Sequence, residues 1–371
     1  MKGEIVIIYL DHAATAPICE AAKKVIIEHL DDFGNPSSAH ELGRQARVLI
    51  EDARERIAKC INAEPEEIYF TSGGSEANTW ALNGLRVLSS PIEHHSAYAR
   101  NHFIDVGNDG IININDLEDA INGGGILGVP DIVSCMLVNN EIGTIQPIEQ
   151  MIPIIQDNSV YLHVDGVQAI AHMHVDVNSI KCRSMSMSAH KFGGIKGVGA
   201  LYLNKYYKSW IDKLINGGKQ EQGMRGGTEN VLGIISMAAA LEDAVEYMEE
   251  RNVYIKYLRD KMLDQLLQIP GSTLNGSLEN RVSGNINIRF SGVSGSRLVT
   301  LCSLYGIYIS SGSACNEGIA EPSHVLKAIG LTDEEALSSI RITIGHENTE
   351  EEINQAAKII TSLVERIRNE D

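Results

Sequence analysis

Apolar residues recur at helical spacing early in the chain. After Pro36, small and aliphatic side chains follow one another every three or four positions as far as residue 57, with charged residues between them. This period predicts a helix over 36–62. A short apolar run over 67–70 then predicts a strand, and the pattern over 76–88 predicts a second helix.

Further apolar runs of strand length follow in the next hundred residues. They cover 102–106, 131–138, 159–164, 184–188 and 198–203. Helical patterns separate several of these runs, so strands and helices alternate along the chain. Such alternation is typical of an α/β domain whose sheet is mainly parallel and flanked by helices, and we predict this fold class.

The last third of the chain has a different organisation. Residues 229–267 predict a long helix or a pair of helices that leaves the large domain. The remainder mixes predicted strands with predicted helices, as in a small α+β unit: 284–290 and 340–344 for the strands, 295–304 and 350–368 for the helices. We therefore predict an N-terminal segment over 1–20, a large domain over 21–262 and a small C-terminal domain over 263–371.

The composition is that of a folded protein. The chain has 371 residues, enough for two cores, and 43% of them are hydrophobic. Lys and Arg number 31 against 49 Asp and Glu, a formal charge of −18, which disfavours direct binding of nucleic acid. No apolar stretch approaches the roughly 20 residues of a membrane span, and the N-terminus does not resemble a signal peptide. We expect a soluble, cytoplasmic protein.

The six cysteines show no metal-binding spacing. None forms a CxxC pair, so no metal site is predicted. Cys60, Cys135 and Cys302 lie among apolar neighbours and are interpreted as small buried side chains. Cys315 differs, because glycine and serine surround it. A thiol in such a loop is a candidate nucleophile in a reducing compartment, although an incidental cysteine in a glycine-rich turn has the same pattern.

Two short motifs indicate a cofactor with a carbonyl and a phosphate. Lys191 follows an apolar run and precedes a glycine-rich turn. A buried lysine there can have a depressed pKa and bond to a carbonyl group, whereas a surface lysine in a loop is the alternative. Residues 71–78 (Thr-Ser-Gly-Gly-Ser-Glu-Ala-Asn) lie between a predicted strand and a helix. Backbone N–H groups at a helix start bind phosphate well, but an ordinary capped turn has the same residues.

Two further polar residues stand where a cofactor ring could contact them. Asp165 ends the run 159–164, and a carboxylate at the C-terminal end of a strand points into the cleft of an α/β sheet. It could pair with a protonated pyridine nitrogen, although a helix N-cap is the alternative. His94 could stack on an aromatic ring and move protons, or it could be a capping or surface histidine.

Together and in this order, the motifs resemble the NifS/IscS-type cysteine desulfurases, in the class V aminotransferase branch of fold-type I pyridoxal-phosphate enzymes. The resemblance runs nearly end to end and includes the blocks 9–15, 33–37, 139–143, 225–230, 321–324 and 338–341. It departs at Ser75, where threonine is usual, at Ala189, where glycine is usual, and at 346–348, where many members have a basic–aromatic pair.

The resemblance implies a pyridoxal 5'-phosphate site. Lys191 would hold the cofactor, Cys315 would accept sulfur and His94 would stack on the ring, and these three would be the catalytic residues. The other cofactor contacts would come from Gly74, Ser75, Asn140, Asp165, Gln168, Ser188, His190 and, from the partner subunit of a homodimer, Thr228. Asn35 and Arg341 would hold the substrate carboxylate, which the planar guanidinium matches well.

The resemblance also implies the reaction. L-Cysteine would give L-alanine and a persulfide on Cys315. The stretch 315–321 has the length of the group with a long, mobile cysteine loop, which implies sulfur transfer to an acceptor protein. Iron–sulfur cluster assembly, tRNA thiolation and a specialised pathway such as DNA sulfur modification all stay open. So do two alternatives: another class V enzyme, such as a selenocysteine lyase or an aminotransferase, and a non-catalytic scaffold of the same fold.

Overall fold

The structure, a computed structural model, describes residues 7–98, 103–123, 128–311, 314–316 and 319–370, without the side chains of 314–316 and 319–320. The helices are α1 (Glu20–Glu28), α2 (Glu41–Cys60), α3 (Gly74–Leu82), α4 (Ile114–Asn122), α5 (Ile148–Asp157), α6 (Val177–Ile180), α7 (Val231–Glu246), α8 (Met248–Leu266), α9 (Gly295–Leu304), α10 (His324–Ala328), α11 (Asp333–Leu337) and α12 (Glu350–Glu370). The strands are β1 (Ile8–Tyr9), β2 (Ile68–Thr71), β3 (Val87–Ser89), β4 (Ile132–Met136), β5 (Tyr161–Asp165), β6 (Ser184–Ser188), β7 (Gly199–Leu203), β8 (Ser272–Leu274), β9 (Asn285–Phe290), β10 (Ile307–Tyr308), β11 (Ser310–Ser311), β12 (Ala314–Asn316), β13 (Ile319–Glu321) and β14 (Ser339–Thr343).

A six-stranded sheet forms the centre of the large domain. Its order is β2-β7-β6-β5-β4-β3, with β3 to β6 parallel and β7 antiparallel to both of its neighbours. The inner strands β4 and β6 are buried along their whole length, as expected where helices cover both faces of a parallel sheet. The predicted α/β class with a mainly parallel sheet is confirmed. The carboxyl ends of β4, β5 and β6 meet at one edge of this sheet.

The structure corrects two predicted helix boundaries. The helix predicted over 76–88 ends at Leu82, and Val87–Ser89 forms the edge strand β3 instead. Gly84 has a φ of +74°, a conformation that glycine adopts readily, and the chain turns there. The helix predicted over 36–62 begins only at Glu41, because the ring of His40 accepts a hydrogen bond from the N–H group of Gly43 and caps it.

Other predicted elements match in position. Residues 229–267 form a helix pair, α7 and α8, separated by Tyr247.

The predicted strand over 102–106 is wrong for its described part: residues 103–106 make only isolated bridges, from Phe103 to Ser89 and from Val106 to Ile112. Within the described residues, no helix has the length and the apolar composition that a bilayer span requires.

A second core lies around an antiparallel sheet of order β11-β14-β9-β8. Its buried side chains include residues of α8 from Ile255 onward, residues of α12, and Ile8 and Leu10 near the N-terminus. The first strand, β1, pairs in parallel with β10, so the N-terminal residues pack with the C-terminal part of the chain. The predicted division at 262/263 stays a prediction.

A buried ion pair fixes α2 against the large sheet. Arg54 on α2 donates from both terminal nitrogens to Glu221, at 2.8 Å each. It also donates to the carbonyl of Ile68, and the N–H group of Phe70 donates to Glu221, so that the pair satisfies backbone groups of β2. Arg54 and Glu221 are 4% and 3% exposed. A charge buried to this degree needs its partner, because water cannot replace it.

We expect Arg54→Ala to lower the free energy of unfolding by about 3–5 kcal/mol, since Glu221 would stay buried without its counter-charge. Urea unfolding followed by circular dichroism measures this. Arg44→Ala is the matched control, because Arg44 lies on the same helix and pairs with Glu41 at the surface. Its cost should stay below about 1 kcal/mol. Equal losses in the two variants would contradict the role given to the buried pair.

Candidate active site

A cavity of about 480 Å³ opens at the carboxyl edge of the large sheet. Met136, Asp165 and Ser188, the last residues of β4, β5 and β6, all line it, as does the start of α3. Its volume is in the range of small-molecule sites, and its position is where α/β sheets bind ligands. Most of the predicted site residues line this one cavity: Gly74, Ser75, His94, Asn140, Asp165, Gln168, Ser188, His190, Lys191 and Arg341.

Lys191 ends a single turn of 3-10 helix, Ala189–Lys191, that follows β6 directly. Its Nζ atom donates to the carbonyl oxygens of Ala13 (2.7 Å) and Ala14 (2.8 Å). Burial lowers the pKa of the Lys191 amine to about 8, and the nearby positive charge of Arg341 acts in the same direction. An amine with this pKa is neutral in about a tenth of the molecules at pH 7, far more than an ordinary lysine, and the neutral form is the one that acts as a nucleophile or a base.

Asp165 is 2% exposed, and its carboxylate is held from two sides. Asn78 donates from Nδ2 to Oδ2 (2.7 Å), and the N–H group of Val167 donates to Oδ1 (3.0 Å). Charge-assisted bonds of this kind offset the loss of water around a buried carboxylate. Two donors therefore hold the Asp165 carboxylate in place at the wall of the cavity.

His94 lines the cavity and is held through its Nδ1 atom. The Oγ atom of Ser96 lies 2.7 Å from this nitrogen, and the N–H group of Ser96 donates to it at 3.2 Å. Burial lowers the pKa of the His94 imidazole below its ordinary value. The ring is therefore neutral near neutral pH and presents an uncharged face.

One end of the cavity is suited to an anion. Helix α3 begins at Gly74 behind the N-cap residue Gly73, and no side chain in the described part of the chain caps its first N–H groups. A Cβ atom at Gly74 would lie 2.6 Å from the side chain of Val167, so only glycine fits this close approach. Ser188 and His190 line the same cavity, and burial lowers the pKa of His190 to about 4, which leaves it neutral. Uncapped N–H groups at a helix start bind phosphate.

Arg341 brings the second domain to the cavity. It lies on β14, is 8% exposed, and donates to the carbonyl of Asn140 (2.9 Å) and to Asp11 Oδ1 (2.8 Å). Its Nε atom is buried and has no partner among the described residues. Arg341 also lines the cavity, and each of its terminal nitrogens carries a second hydrogen that a carboxylate ligand could accept.

Two predicted residues, Asn35 and Thr228, are not among those that line the cavity. Asn35 is exposed, and its Oδ1 atom accepts from the N–H group of Ser37. Thr228 is exposed as well. The side chain of Cys315 lies outside the described part of the structure; its backbone forms β12 and pairs with Ala320 of β13. The roles given to these three residues stay predictions.

Sequence reasoning missed several residues that hold the site together. Asn78, Ser96 and Asp11 each hydrogen-bond to a predicted site residue. Asn78 could have been found, because it lies one helical turn after Gly74 and therefore on the same face of α3. Among the described residues, no group of histidine, cysteine and acidic side chains is arranged to hold a metal ion.

Comparisons with known proteins identify the class to which this site belongs. The class-V aminotransferase family matches residues 8–356. The chain is 38% identical to cysteine desulfurase IscS of Methanosarcina thermophila, over 98% of this chain and 93% of the relative. It superposes on a NifS-like protein with a TM-score of 0.88 at 33% identity, over 97% of this chain and 100% of that one. For SspA in complex with cysteine the TM-score is 0.77 at 29% identity, over 92% and 99%.

The chain thus belongs to the class-V aminotransferase family of pyridoxal-phosphate enzymes. Within that family it is one of the cysteine desulfurases, and the resemblance seen in its motifs is confirmed.

The donor set fits pyridoxal phosphate. The uncapped start of α3 suits the phosphate, the amine of Lys191 suits the carbonyl carbon, and the carboxylate of Asp165 suits a protonated ring nitrogen. When bound, this cofactor supplies an electron sink that stabilises negative charge on the substrate. The other steps of the reaction depend on side chains of the protein itself.

We expect the rate of covalent cofactor uptake by the apoenzyme to rise with pH and to level off above about pH 8, because only the neutral Lys191 amine reacts. An ordinary lysine, with a pKa near 10.4, would give a rate that still rises steeply at about pH 10. Stopped-flow absorbance measures the rate, and Lys191→Ala serves as the control for non-covalent binding. A profile without a plateau would contradict the depressed pKa.

Proposed function

We propose that this chain takes sulfur from L-cysteine, releases L-alanine and leaves a persulfide on Cys315 for transfer to an acceptor protein. The observation that carries the proposal is the meeting of Lys191, Asp165 and Arg341 in one cavity. The guanidinium binds the substrate carboxylate, the amine takes the proton from its α-carbon, and the buried carboxylate stabilises positive charge on the cofactor ring. The reaction requires all three functions: substrate binding, removal of the α-proton and stabilisation of the cofactor ring.

The sulfur step is a displacement at the sulfur atom of the substrate. The thiolate of Cys315 forms a bond to that sulfur while the carbon–sulfur bond breaks. The electron pair stays with the three-carbon fragment, which gains a proton and leaves as alanine. Atoms and electrons balance without an external oxidant, because the cysteine carbon is reduced as the two sulfur atoms are oxidised.

Both ends of the segment that carries Cys315 are held next to residues that line the cavity. Ser310 pairs in register with Arg341, across β11 and β14. Beyond the segment, Nε2 of His324 lies 3.0 Å from the carbonyl oxygen of Glu93, the residue before His94. Cys315 is four residues from Ser311, and four extended residues span at most about 14 Å. Because this stretch of chain is short, it supports the proposal that the Cys315 thiol reacts at this cavity.

The remaining cysteines do not compete for this role. Burial raises the pKa of Cys60 to about 11 and the pKa values of Cys182 and Cys302 to about 12. It also raises the pKa values of Cys19 and Cys135 above the ordinary thiol range. Since the thiolate is the nucleophile, all five are unreactive near neutral pH.

We expect Cys315→Ala to keep the yellow cofactor and to lose persulfide formation, with alanine production falling at least about a hundredfold, or about 2.7 kcal/mol in the activation free energy. Mass spectrometry of the protein after reaction with cysteine measures the persulfide. Cys60→Ala, which removes another thiol of the large domain, should retain wild-type turnover. Sulfide release by Cys315→Ala at the wild-type rate would contradict the assigned nucleophile.

We further propose that the enzyme is a homodimer in which Thr228 completes the phosphate site of the partner subunit. The exposure of Thr228, and its position away from the cavity of its own chain, support this arrangement. A hydroxyl added to the uncapped start of α3 from a second chain would supply a further donor to the phosphate.

Co-expression of Lys191→Ala and Thr228→Ala chains tests the shared site. In a mixed dimer, one site would carry both substitutions and the other would carry neither, so we expect about half of the wild-type activity per dimer to return. Each variant alone should show weakened or abolished turnover, and differently tagged chains allow the mixed dimer to be purified. Mixed dimers no more active than the sum of their parents would contradict a role for Thr228 across the interface.

The sulfur recipient is proposed to be a protein in the cytoplasm. A chain with a net charge of −18 repels phosphate backbones, which favours delivery through an acceptor protein over direct contact with a nucleic acid. Iron–sulfur cluster assembly, tRNA thiolation or another sulfur-transfer pathway is where we expect such an acceptor.

A further inference from the structure

A chain of buried hydrogen bonds runs behind the cavity from Asp165 to His94. Asn78, which is 1% exposed, donates from Nδ2 both to Asp165 Oδ2 (2.7 Å) and to Ser96 Oγ (2.9 Å). Ser96 Oγ in turn lies 2.7 Å from His94 Nδ1. One amide therefore connects the carboxylate at one side of the cavity with the imidazole at the other.

The carboxylate determines how the Asn78 amide is oriented. An ionised carboxylate only accepts hydrogen bonds, so the amide must present its nitrogen to Asp165. Its oxygen then faces Nε2 of His163 at 2.9 Å, and His163 must donate. His163 Nδ1 consequently accepts from the hydroxyl of Ser184, at 2.9 Å. Burial lowers the pKa of His163 to about 3, in agreement with a ring that carries one proton.

The same reasoning determines the tautomer of His94. Both hydrogens on Asn78 Nδ2 are used, one by Asp165 and one by Ser96. Ser96 Oγ accepts from Asn78 and keeps one hydrogen to donate, and His94 Nδ1 lies within reach of it at 2.7 Å. The N–H group of Ser96 points to the same atom, at 3.2 Å. Nδ1 therefore accepts, and the single proton of the neutral ring lies on Nε2.

We propose that Asn78 is a positioning residue that orients the Asp165 carboxylate for the cofactor and, through Ser96, holds His94 as the Nε2-protonated tautomer. The proposal rests on the proposed function for its account of turnover, whereas the tautomer follows from the hydrogen bonds alone. The reversed amide would place its oxygen against the carboxylate of Asp165 and its nitrogen against Nε2 of His163. That arrangement would place two acceptor oxygens against each other in a buried site.

This tautomer limits what His94 can do in the reaction. Its Nε2–H group can donate a hydrogen bond to a group in the cavity, but the neutral ring cannot release this proton, because that would leave an imidazolate. Nε2 cannot accept a proton there, and Nδ1 is blocked by two donors from Ser96. His94 is therefore a hydrogen-bond donor during turnover, and the base that receives the thiol or ammonium proton of cysteine lies elsewhere.

Nitrogen-15 NMR of histidine-labelled enzyme tests the assignment directly, with and without pyridoxal phosphate. We expect His94 in the wild type to show a protonated Nε2 and an unprotonated Nδ1 near neutral pH, with the signals assigned from His94→Gln. Ser96→Ala should give a mixture of tautomers while the affinity for pyridoxal phosphate stays within about twofold. Asn78→Ala should give the mixture and also weaken that affinity at least about tenfold, or about 1.4 kcal/mol.

Asn275→Ala is the matched control. Asn275 is also 1% exposed and donates to Asn287 and Ser339, but it lies directly after β8 of the small sheet and does not line the cavity. It reports the general cost of removing a buried amide, and it should leave the His94 signals and the cofactor affinity unchanged. Ser96→Ala provides a second, milder variant if Asn78→Ala does not fold.

Two results would overturn the proposal: a wild-type His94 protonated on Nδ1, or an Asn78→Ala variant that matches Asn275→Ala in both measurements. Alanine and persulfide formation by the wild type is measured separately. A wild type that makes neither product while keeping the predicted tautomer would count against the proposed function alone, so the two failures are distinguishable.

Discussion

Burying a carboxylate is costly unless neighbouring groups replace its water, and the architecture of the cavity depends on how this is achieved for Asp165. The bonds come from Asn78 on α3 and from the backbone just beyond β5. They tie the start of α3 to the carboxyl end of β5. Because the start of α3 also presents the uncapped N–H groups suited to phosphate, one set of bonds fixes the two ends of the cofactor site relative to each other.

The cavity also depends on contact between the two domains. Arg341 reaches it from the small sheet and bonds to the carbonyl of Asn140 and to Asp11. Its charge helps to lower the pKa of Lys191, so the reactivity of the amine depends in part on how the domains meet. Ser310, in register with Arg341, starts the segment that carries Cys315. The same strand pairing thus serves substrate binding, amine reactivity and the placement of the thiol segment.

The histidines in and behind the cavity add no positive charge to it near neutral pH. Burial lowers the pKa values of His94, His163 and His190, so all three rings are neutral near neutral pH. The charged side chains that line the cavity are Glu76, Asp165, Lys191, Lys196 and Arg341. Neutral rings fixed by hydrogen bonds can stack and donate without competing for the anionic ligand.

The sequence by itself determined the α/β class, the order of most elements, the family, and the residues that meet in the cavity, including Lys191 at the end of one strand run and Asp165 at the end of another. These follow from periodicity and from motif order, which are local properties of the chain. The tertiary structure decided which groups hold those residues. Asn78 and Asp165 are 87 positions apart, and no pattern in the sequence indicates that they form a hydrogen bond. Helix α3 ends at Leu82 although the helical pattern continues to residue 88. The backbone turns at Gly84, and β3 gains its hydrogen bonds by pairing with the sheet. Hydrogen-bond partners, tautomers and depressed pKa values depend on burial and distance, and these exist only once the chain has folded.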